Sequence, residues 1–450
     1  MYWQDGEVYR RVTEAGRQGY EALRQSGLYD ALVKRRLLVP HAEQAVPAGA
    51  ADTAYILKPA RVPFISYPYE WAFSALQDAA LATLEAQRLA LEHGLTMKDA
   101  SAYNVQFLDG RPVLIDTLSF EPYGGQPAWQ AYAQFCRHFL APLALMSQVD
   151  VRLGGLLRNY IDGVPLDLTA ALLPLRSKAR PGLLLHLALH NASQQRYAHR
   201  AQPAATAAAP SALGKQSLLG LLDSLTRTVR KLRLPRRLST EWGEYYTFTN
   251  YSDAASRHKA EVVAEFVKLA QPRRVWDLGG NDGRFSRVAL EAGAGQALCF
   301  DVDPVAVEKS YRQLRRHPEP RLLPLLADLT NPSPALGWAQ QERQGLTERA
   351  QPGTTIMALA LVHHLAISNN LPFDHIAAWL ARLGDHLIIE FIPKTDSKVQ
   401  ILLATRKDIF HQYDQANFET SFQKHFEIVT HTPVEGSQRV MYLMQARHGE

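Results

Sequence analysis

Asp277-Leu278-Gly279-Gly280-Asn281-Asp282-Gly283 places three glycines and two carboxylates in one short turn between two apolar runs. A strand, a glycine turn and a helix together present free backbone N–H groups at the helix start. Dinucleotide sites use G-x-G-x-x-G there to bring backbone against pyrophosphate. This turn lacks that spacing, and Asp277 and Asp282 would repel a diphosphate while attracting an ammonium or a sulfonium. About twenty residues further on, Asp301 closes the apolar stretch of "CFDVDP", where a carboxylate can accept both hydroxyls of a ribose. Asp328 follows a third apolar run in "LLPLLADLTNP". The ligand these residues ask for is a cation carrying a ribose and a base, and S-adenosylmethionine (SAM) meets that description.

The elements that must position these acids alternate strand and helix. "AEVVAEFVKLA" has helical periodicity, "RRVWDLG" reads as a buried strand and "GRFSRVALEAG" as a helix. "QALCFDVD" is a second strand, and Pro304 opens the helix "PVAVEKSYRQLRR" with Asp303 as its cap. Strands follow near "TTIMALAL" and "DHLIIEFI", with the helix "FDHIAAWLARLG" between them, and the chain ends in what reads as an antiparallel hairpin. Such alternation predicts a parallel sheet covered on both faces.

With its loop and its order of strand-end acids, this region resembles the class I SAM-dependent methyltransferases, whose first motif is D/E-x-G-x-G-x-G. Asp277, Gly279 and Gly283 match, and Asn281 stands at the middle glycine. The resemblance implies a Rossmann-like seven-stranded methyltransferase sheet over about 241–450. It further implies that Asp277 holds the methionyl ammonium, that Gly279, Gly280, Asn281 and Gly283 carry the cofactor loop, and that Asp328 meets the adenine amine. A lone aspartate after a strand is otherwise a turn or helix cap.

Acceptor-side candidates come next. The fourth strand ends at "ALALVHHLAISNNLPF", and it lacks the N-P-P-Y/F of amino-group methylases of nucleobases and some amides, which disfavours an N6-adenine-type activity and leaves nucleic acid open but not favoured as acceptor. His363 or His364 could act as general base for an alcohol or acid, giving O-methylation of a small molecule or saccharide. The alternative is a histidine that packs or caps. Glu390 and Lys394 follow the fifth strand, at the sheet end where ligands sit. Tyr251 and Lys259 lie in a segment that could fold over the cofactor. His186 and His190 are one helical turn apart with no third ligand in view, so no metal is expected.

The N-terminal half, a separate mixed α+β domain over 1–190, holds "MKDASAYNVQFLDGRPVLID". Asp99, Asn104 and Asp116 resemble the catalytic loop and metal-binding aspartate of kinases and aminoglycoside phosphotransferases. That resemblance implies ATP and magnesium. Met97 and Lys98 depart from the pattern, no glycine-rich phosphate loop is visible, and turn-forming Asp and Asn are the other reading. The order of the two halves also resembles a bacterial group of methyltransferases that includes nodulation host-specificity proteins modifying saccharide signals, which implies a carbohydrate-linked acceptor.

The whole chain, 450 residues with 46% hydrophobic and 21% charged residues, has the texture of a globular protein. A net charge of +5 permits an anionic partner without demanding one. Two distant cysteines make no disulfide framework and suggest a cytoplasmic protein. No apolar run is long enough for a membrane span. The Ala/Pro-rich stretch after residue 190 reads as a linker, and 191–240 ends in a leucine-striped helix with basic residues, expected to pack rather than to bind anions or a membrane surface. Three functions remain on this reading: a methyltransferase, a bifunctional kinase-like methyltransferase, and a SAM-binding scaffold without catalysis.

Overall fold

The computed structural model describes residues 1–47, 49–125, 128–178, 180–189, 212–235, 253–404 and 407–447. The chain forms two compact units, Met1–Arg237 and Leu238–Glu450.

In the first unit, β1 (Tyr2–Gln4), β2 (Glu7–Val12), β3 (His41–Gln44) and β4 (Tyr55–Pro59) form an antiparallel sheet in the order β1-β2-β4-β3. Helix Glu14–Gln25 follows β2 and buries Tyr20 and Leu23. Helix Phe73–Glu92 is buried along most of its length, as its run of alanines and leucines requires. Beyond it come β5 (Leu95–Met97), the hairpin of β6 (Val105–Leu108) and β7 (Arg111–Leu114), and β8 (Phe120–Pro122), which pairs with β5. Asp109 and Gly110 both take positive φ in the hairpin turn, the conformation an Asp-Gly pair accepts most readily.

Helix Ala212–Lys231 belongs to this unit. Leu218, Leu222, Leu225, Val229 and Leu232 recur at spacings of three and four and are all buried. The helix packs on Phe73–Glu92, where Arg88 pairs with Asp223 and the Gln77 amide donates to the Val229 and Leu232 carbonyls at 2.8 and 3.1 Å. The leucine stripe is therefore a packing face. Residues 191–211 lie outside the described residues.

The second unit is built on β9 (Arg274–Leu278), β10 (Ala297–Asp301), β11 (Leu322–Leu326), β12 (Thr354–Ala358), β13 (His386–Phe391), β14 (Phe426–Pro433) and β15 (Val440–Ala446). The order is β11-β10-β9-β12-β13-β15-β14, with β15 antiparallel to both neighbours and the pairs from β11 through β13 parallel. β9, β10 and β12 are buried almost throughout, which explains their continuous apolar spelling. One core cluster includes Val263, Phe266, Val275, Cys299, Met357 and Ile388. Helix Asp253–Ala270 starts earlier than "AEVVAEFVKLA" alone suggests, so Ser256 and Lys259 ride on a helix and not on a lid.

The junction before β13 is tight. A Cβ placed on Gly384 would stand 2.6 Å from the Thr354 carbonyl oxygen, a backbone atom that cannot swing away. Gly384→Ala is expected to cost the C-terminal unit about 1–3 kcal/mol. Urea unfolding followed by fluorescence would check this, and an unchanged midpoint would contradict the close approach.

Candidate functional site

Strand order reverses between β9 and β12, because the chain runs outward from β9 to β11 and returns to β12 on the other side. Open α/β sheets bind ligands in the crevice at such a switch point, outside the carboxyl ends of the strands. A cavity of about 430 Å³ lies there. Its wall includes Asp277, Gly279, Gly280, Asn281, Asp301 and Asp328. Gly283 is not on the wall. It caps helix Arg284–Glu291 in a left-handed conformation, and a Cβ there would press on Ser310 Oγ at 2.9 Å.

The loop's sequence follows from its geometry. Gly279 has φ +73 and Asn281 φ +51, and asparagine is among the few side-chain-bearing residues that tolerate this region. Asn281 can thus occupy the middle position where the related motif has glycine. Gly279 and Gly280 both donate backbone N–H to the Phe300 carbonyl, at 2.8 and 3.0 Å. Gly280 admits no side chain, since a Cβ would fall 2.7 Å from both the Asp277 carboxyl carbon and Cys299 Sγ.

Two buried carboxylates dominate the electrostatics. Asp277 is 1% exposed and accepts from Ser286 Oγ at 2.7 Å. Asp301 is 7% exposed and accepts from the Asn281 and Asp303 N–H groups, each at 2.8 Å. Burial raises each to about 6, and the hydrogen bonds offset only part of that cost. Burial also raises Asp282. Asp328 is exposed and turns its carboxylate onto the N–H and hydroxyl of Thr330, so its side chain closes a turn while the residue lines the cavity. Asp303 caps its helix through Val305 N–H at 2.7 Å.

The acceptor-side candidates separate. Half-buried His364 is on the wall, and burial lowers it to about 4, so its ring is neutral at pH 7. His363 is 2% exposed and not on the wall; its ring packs at 4.0 Å from that of His364. Burial also lowers His363 well below the usual range. Lys259 is on the wall but buried, its Nζ 2.6 Å from Glu390 Oε2 and 4.8 Å from the centre of the Phe285 ring. Burial lowers the Lys259 ammonium, and Glu390 partly restores it. Glu390 lies behind the wall, fully buried, and also accepts from the Ala360 N–H at 2.8 Å. Lys394 is off the wall and pairs with Asp408. Tyr251 lies outside the described residues.

Several wall residues carried no signal in the sequence. Leu361, Leu365 and Leu402 read as ordinary core leucines, and Ser368 and Asn369 as loop residues. Ala360 takes φ +51, a position that nothing in its type announces.

In the first unit, Ser119 bonds two of the three kinase-like positions and the backbone beside the third. Its hydroxyl donates to Asp116 at 2.6 Å and accepts from Asn104 at 3.5 Å, while its carbonyl accepts from Lys98 N–H next to Asp99. The carboxylates are already engaged: Asp116 by Arg10 and the Leu118 N–H, Asp99 by the Ser101 N–H and the Gln134 amide. Among the described residues no group of three or more His, Cys, Asp or Glu is arranged to hold a metal. The turn-forming roles are what the geometry displays, and the expectation of ATP and magnesium gains nothing from it. His186 uses both ring nitrogens on Tyr132 and Ser224, and His190 lies outside the described residues.

A seven-stranded sheet in this order, with its last-but-one strand in sequence at the edge and the final strand inserted antiparallel beside β13, is the class I SAM-dependent methyltransferase fold. No protein-family model matches the chain. It is 36% identical over 381 residues to nodulation protein NoeA of Rhizobium meliloti (strain 1021), a match covering 85% of this chain and 80% of that protein, and it belongs to the NoeA family. Among solved structures it is similar to N-methyltransferase NodS of Bradyrhizobium japonicum WM9 in complex with S-adenosyl-L-homocysteine (10% identity, TM-score 0.34, 47% of this chain and 96% of that one). Magnesium protoporphyrin IX methyltransferase of Synechocystis PCC 6803 is similar at 16% identity and TM-score 0.32, over 46% of this chain and 93% of that one. The bifunctional kinase-methyltransferase WbdD is similar at 15% identity and TM-score 0.30, over 43% of this chain and 40% of that one.

The raised carboxylate has a consequence for stability. A group protonated more readily in the folded state contributes stability below its unfolded value, which is lost as pH rises through the folded value near 6. Ionised Asp277 therefore destabilises the ligand-free protein at neutral pH. Asp277→Asn, which keeps an acceptor for Ser286, is expected to stabilise it by about 1–3 kcal/mol at about pH 7 and by much less at about pH 4. Denaturant midpoints at the two pH values would decide, and a destabilised variant at pH 7 would contradict the sign.

Proposed function

We propose that this chain is a SAM-dependent methyltransferase whose acceptor is a hydroxyl of a small molecule or saccharide. The observation that carries the reading is the pair of buried carboxylates, Asp277 and Asp301, on adjacent strand ends around a glycine loop at the switch point. Asp277 holds the ammonium of the methionyl part, Asp301 the ribose hydroxyls, and the backbone of Gly279 and Gly280 lets the ligand approach. Val302, 56% exposed beside Asp301, offers an apolar platform for the base, with Ala327 and Asp328 beneath its edge.

Lys259 completes the set. It is the cation on a wall otherwise charged by aspartates, and it lies within electrostatic reach of Asp277. An α-amino acid presents both signs at once, so Asp277 and Lys259 together read its ammonium and its carboxylate. Lys259 thus moves from the acceptor to the cofactor, and Glu390 becomes the residue that holds Lys259 in place.

SAM supplies a methyl cation equivalent, leaving as the neutral thioether S-adenosylhomocysteine. This chain's residues align the acceptor and exclude water. Leu361, Leu365 and Leu402 form an apolar wall that favours loss of the sulfonium charge, while Ser368 and Asn369 supply hydrogen bonds for a hydroxylated acceptor. Neutral His364 can accept a hydrogen bond from the acceptor hydroxyl and so orient it. The word nodulation in the name of the NoeA relative does not specify an acceptor.

Calorimetry should show SAM and S-adenosylhomocysteine binding and NAD failing to bind. Labelled SAM should transfer its methyl to a component of a cell extract with the native protein and not with Gly279→Arg. Absence of SAM affinity would sink the reading.

Two further outcomes follow from the charges. Protonation of Asp277 and Asp301 removes the attraction for a cation, so the Kd for SAM should rise roughly tenfold between about pH 7.5 and about pH 5. A flat profile would exclude their ionised role. Replacing the buried pair together, Lys259→Met with Glu390→Gln, should weaken S-adenosylhomocysteine roughly tenfold or more while leaving decarboxylated SAM unaffected. Equal losses for both ligands would make Lys259 a packing residue only.

A further inference from the structure

The first unit contains a second cavity, of about 650 Å³, between the helical segment Pro181–Leu189 and helix Ala212–Lys231. Arg180, Arg227 and Lys231 stand on its wall, all exposed, and among the described residues no carboxylate does. Among the described residues none of the three is paired with an acid; Arg227 Nε reaches only the Asp223 carbonyl. Asp223 itself is taken by Arg88.

This imbalance is written into the chain. From Leu168 to Thr240 the only acidic residue is Asp223, against three lysines and nine arginines. An uncompensated cluster of cations raises the local potential and draws an anion.

The apolar half of the site tells what kind. Leu183, Leu185 and Leu232 also line the cavity. Beside it, on the helices Leu166–Leu172 and Leu175–Lys178 that pack against the same segment, Leu172 and Leu175 are 41% and 82% exposed. Leu184 and Leu185 are exposed as well. A small inorganic anion gains nothing from these leucines. An acidic lipid does, because its phosphate meets the cations while its acyl region takes the side chains. No helix among the described residues is long and apolar enough to cross a membrane, so contact of this kind is peripheral.

We propose that this cleft and its leucine rim dock the protein on a membrane surface rich in anionic phospholipid. The site lies wholly within the first unit and is independent of the SAM crevice in its residues.

The test is co-sedimentation of the full chain with vesicles of phosphatidylcholine alone and of phosphatidylcholine containing phosphatidylglycerol. Binding should occur to the anionic vesicles only and fall as salt screens the charges. The triple variant Arg180→Glu, Arg227→Glu, Lys231→Glu should lose at least tenfold in partitioning, with circular dichroism unchanged. Leu175→Ser, at a position too exposed to matter for folding, should lose several-fold on its own. Equal binding to both vesicle types, or anionic binding untouched by either variant, would overturn the proposal. So would saturable binding of inorganic phosphate or of an oligonucleotide with no vesicle binding.

Discussion

Burying two carboxylates a few ångströms from a glycine loop sets the terms for everything around the crevice. Asp277 and Asp301 lose most of their water, and the hydrogen bonds that the fold returns, from the Ser286 hydroxyl and from backbone N–H groups such as those of Asn281 and Asp303, offset only part of that loss. The backbone donors are the reason for the loop's shape. Asn281 adopts its left-handed conformation with its N–H aimed at Asp301, and Gly280 stays bare because Asp277 and Cys299 already fill the space of a side chain. An arrangement so poorly solvated is unfavourable until a cation arrives. Functional sites commonly hold such unmet demand, and the rest of the unit must be stable enough to bear it.

A second group of buried charges holds the walls of the crevice in place. Glu390 receives Lys259 from helix Asp253–Ala270 and the N–H of Ala360 from the end of β12, with Arg439 at 3.5 Å from the start of β15. Arg439 in turn donates to Asp396, which precedes helix Ser397–Ala404, the source of Leu402 on the cavity wall. Opposite walls of one crevice are thereby fixed to a single carboxylate. Networks of this kind add little net stability over apolar packing but penalise any rearrangement that leaves a charge unpaired. Holding Ala360 at φ +51 is a local strain that such a network can sustain.

How much of this could be read from the chain depended on sequence distance. The loop, Asp301 and the strand order were legible because each is a local pattern: a turn between apolar runs, an acid closing a strand, alternation of periods two and 3.6. The pairing of Lys259 with Glu390 spans 131 residues and has no local mark. His363 and His364 are neighbours in sequence, yet successive positions entering a helical turn point about 100° apart, so one faces the cavity and the other the core. Asn104 and Asp116 both bond the Ser119 hydroxyl, while Asp99 is held by Ser101 and Gln134. What spacing could not reveal was Arg10, brought from β2 into an ion pair with Asp116.

The two units have opposite electrostatic characters, and this bears on which ligands each can hold. A crevice whose unpaired charges are carboxylates attracts a sulfonium but repels any acceptor that carries phosphate or carboxylate near the reacting hydroxyl. Retention of an anionic species must then be assigned to other residues, and among the described residues Arg180, Arg227 and Lys231 line a cleft with no acid paired to them. Segregating the two attractions also avoids mutual cancellation. Arginines close to Asp277 would have neutralised it, as Arg10 does Asp116, and with it the selectivity for a cationic ligand. The buried Lys259 does not cancel Asp277 in this way, because its Nζ is anchored 2.6 Å from Glu390.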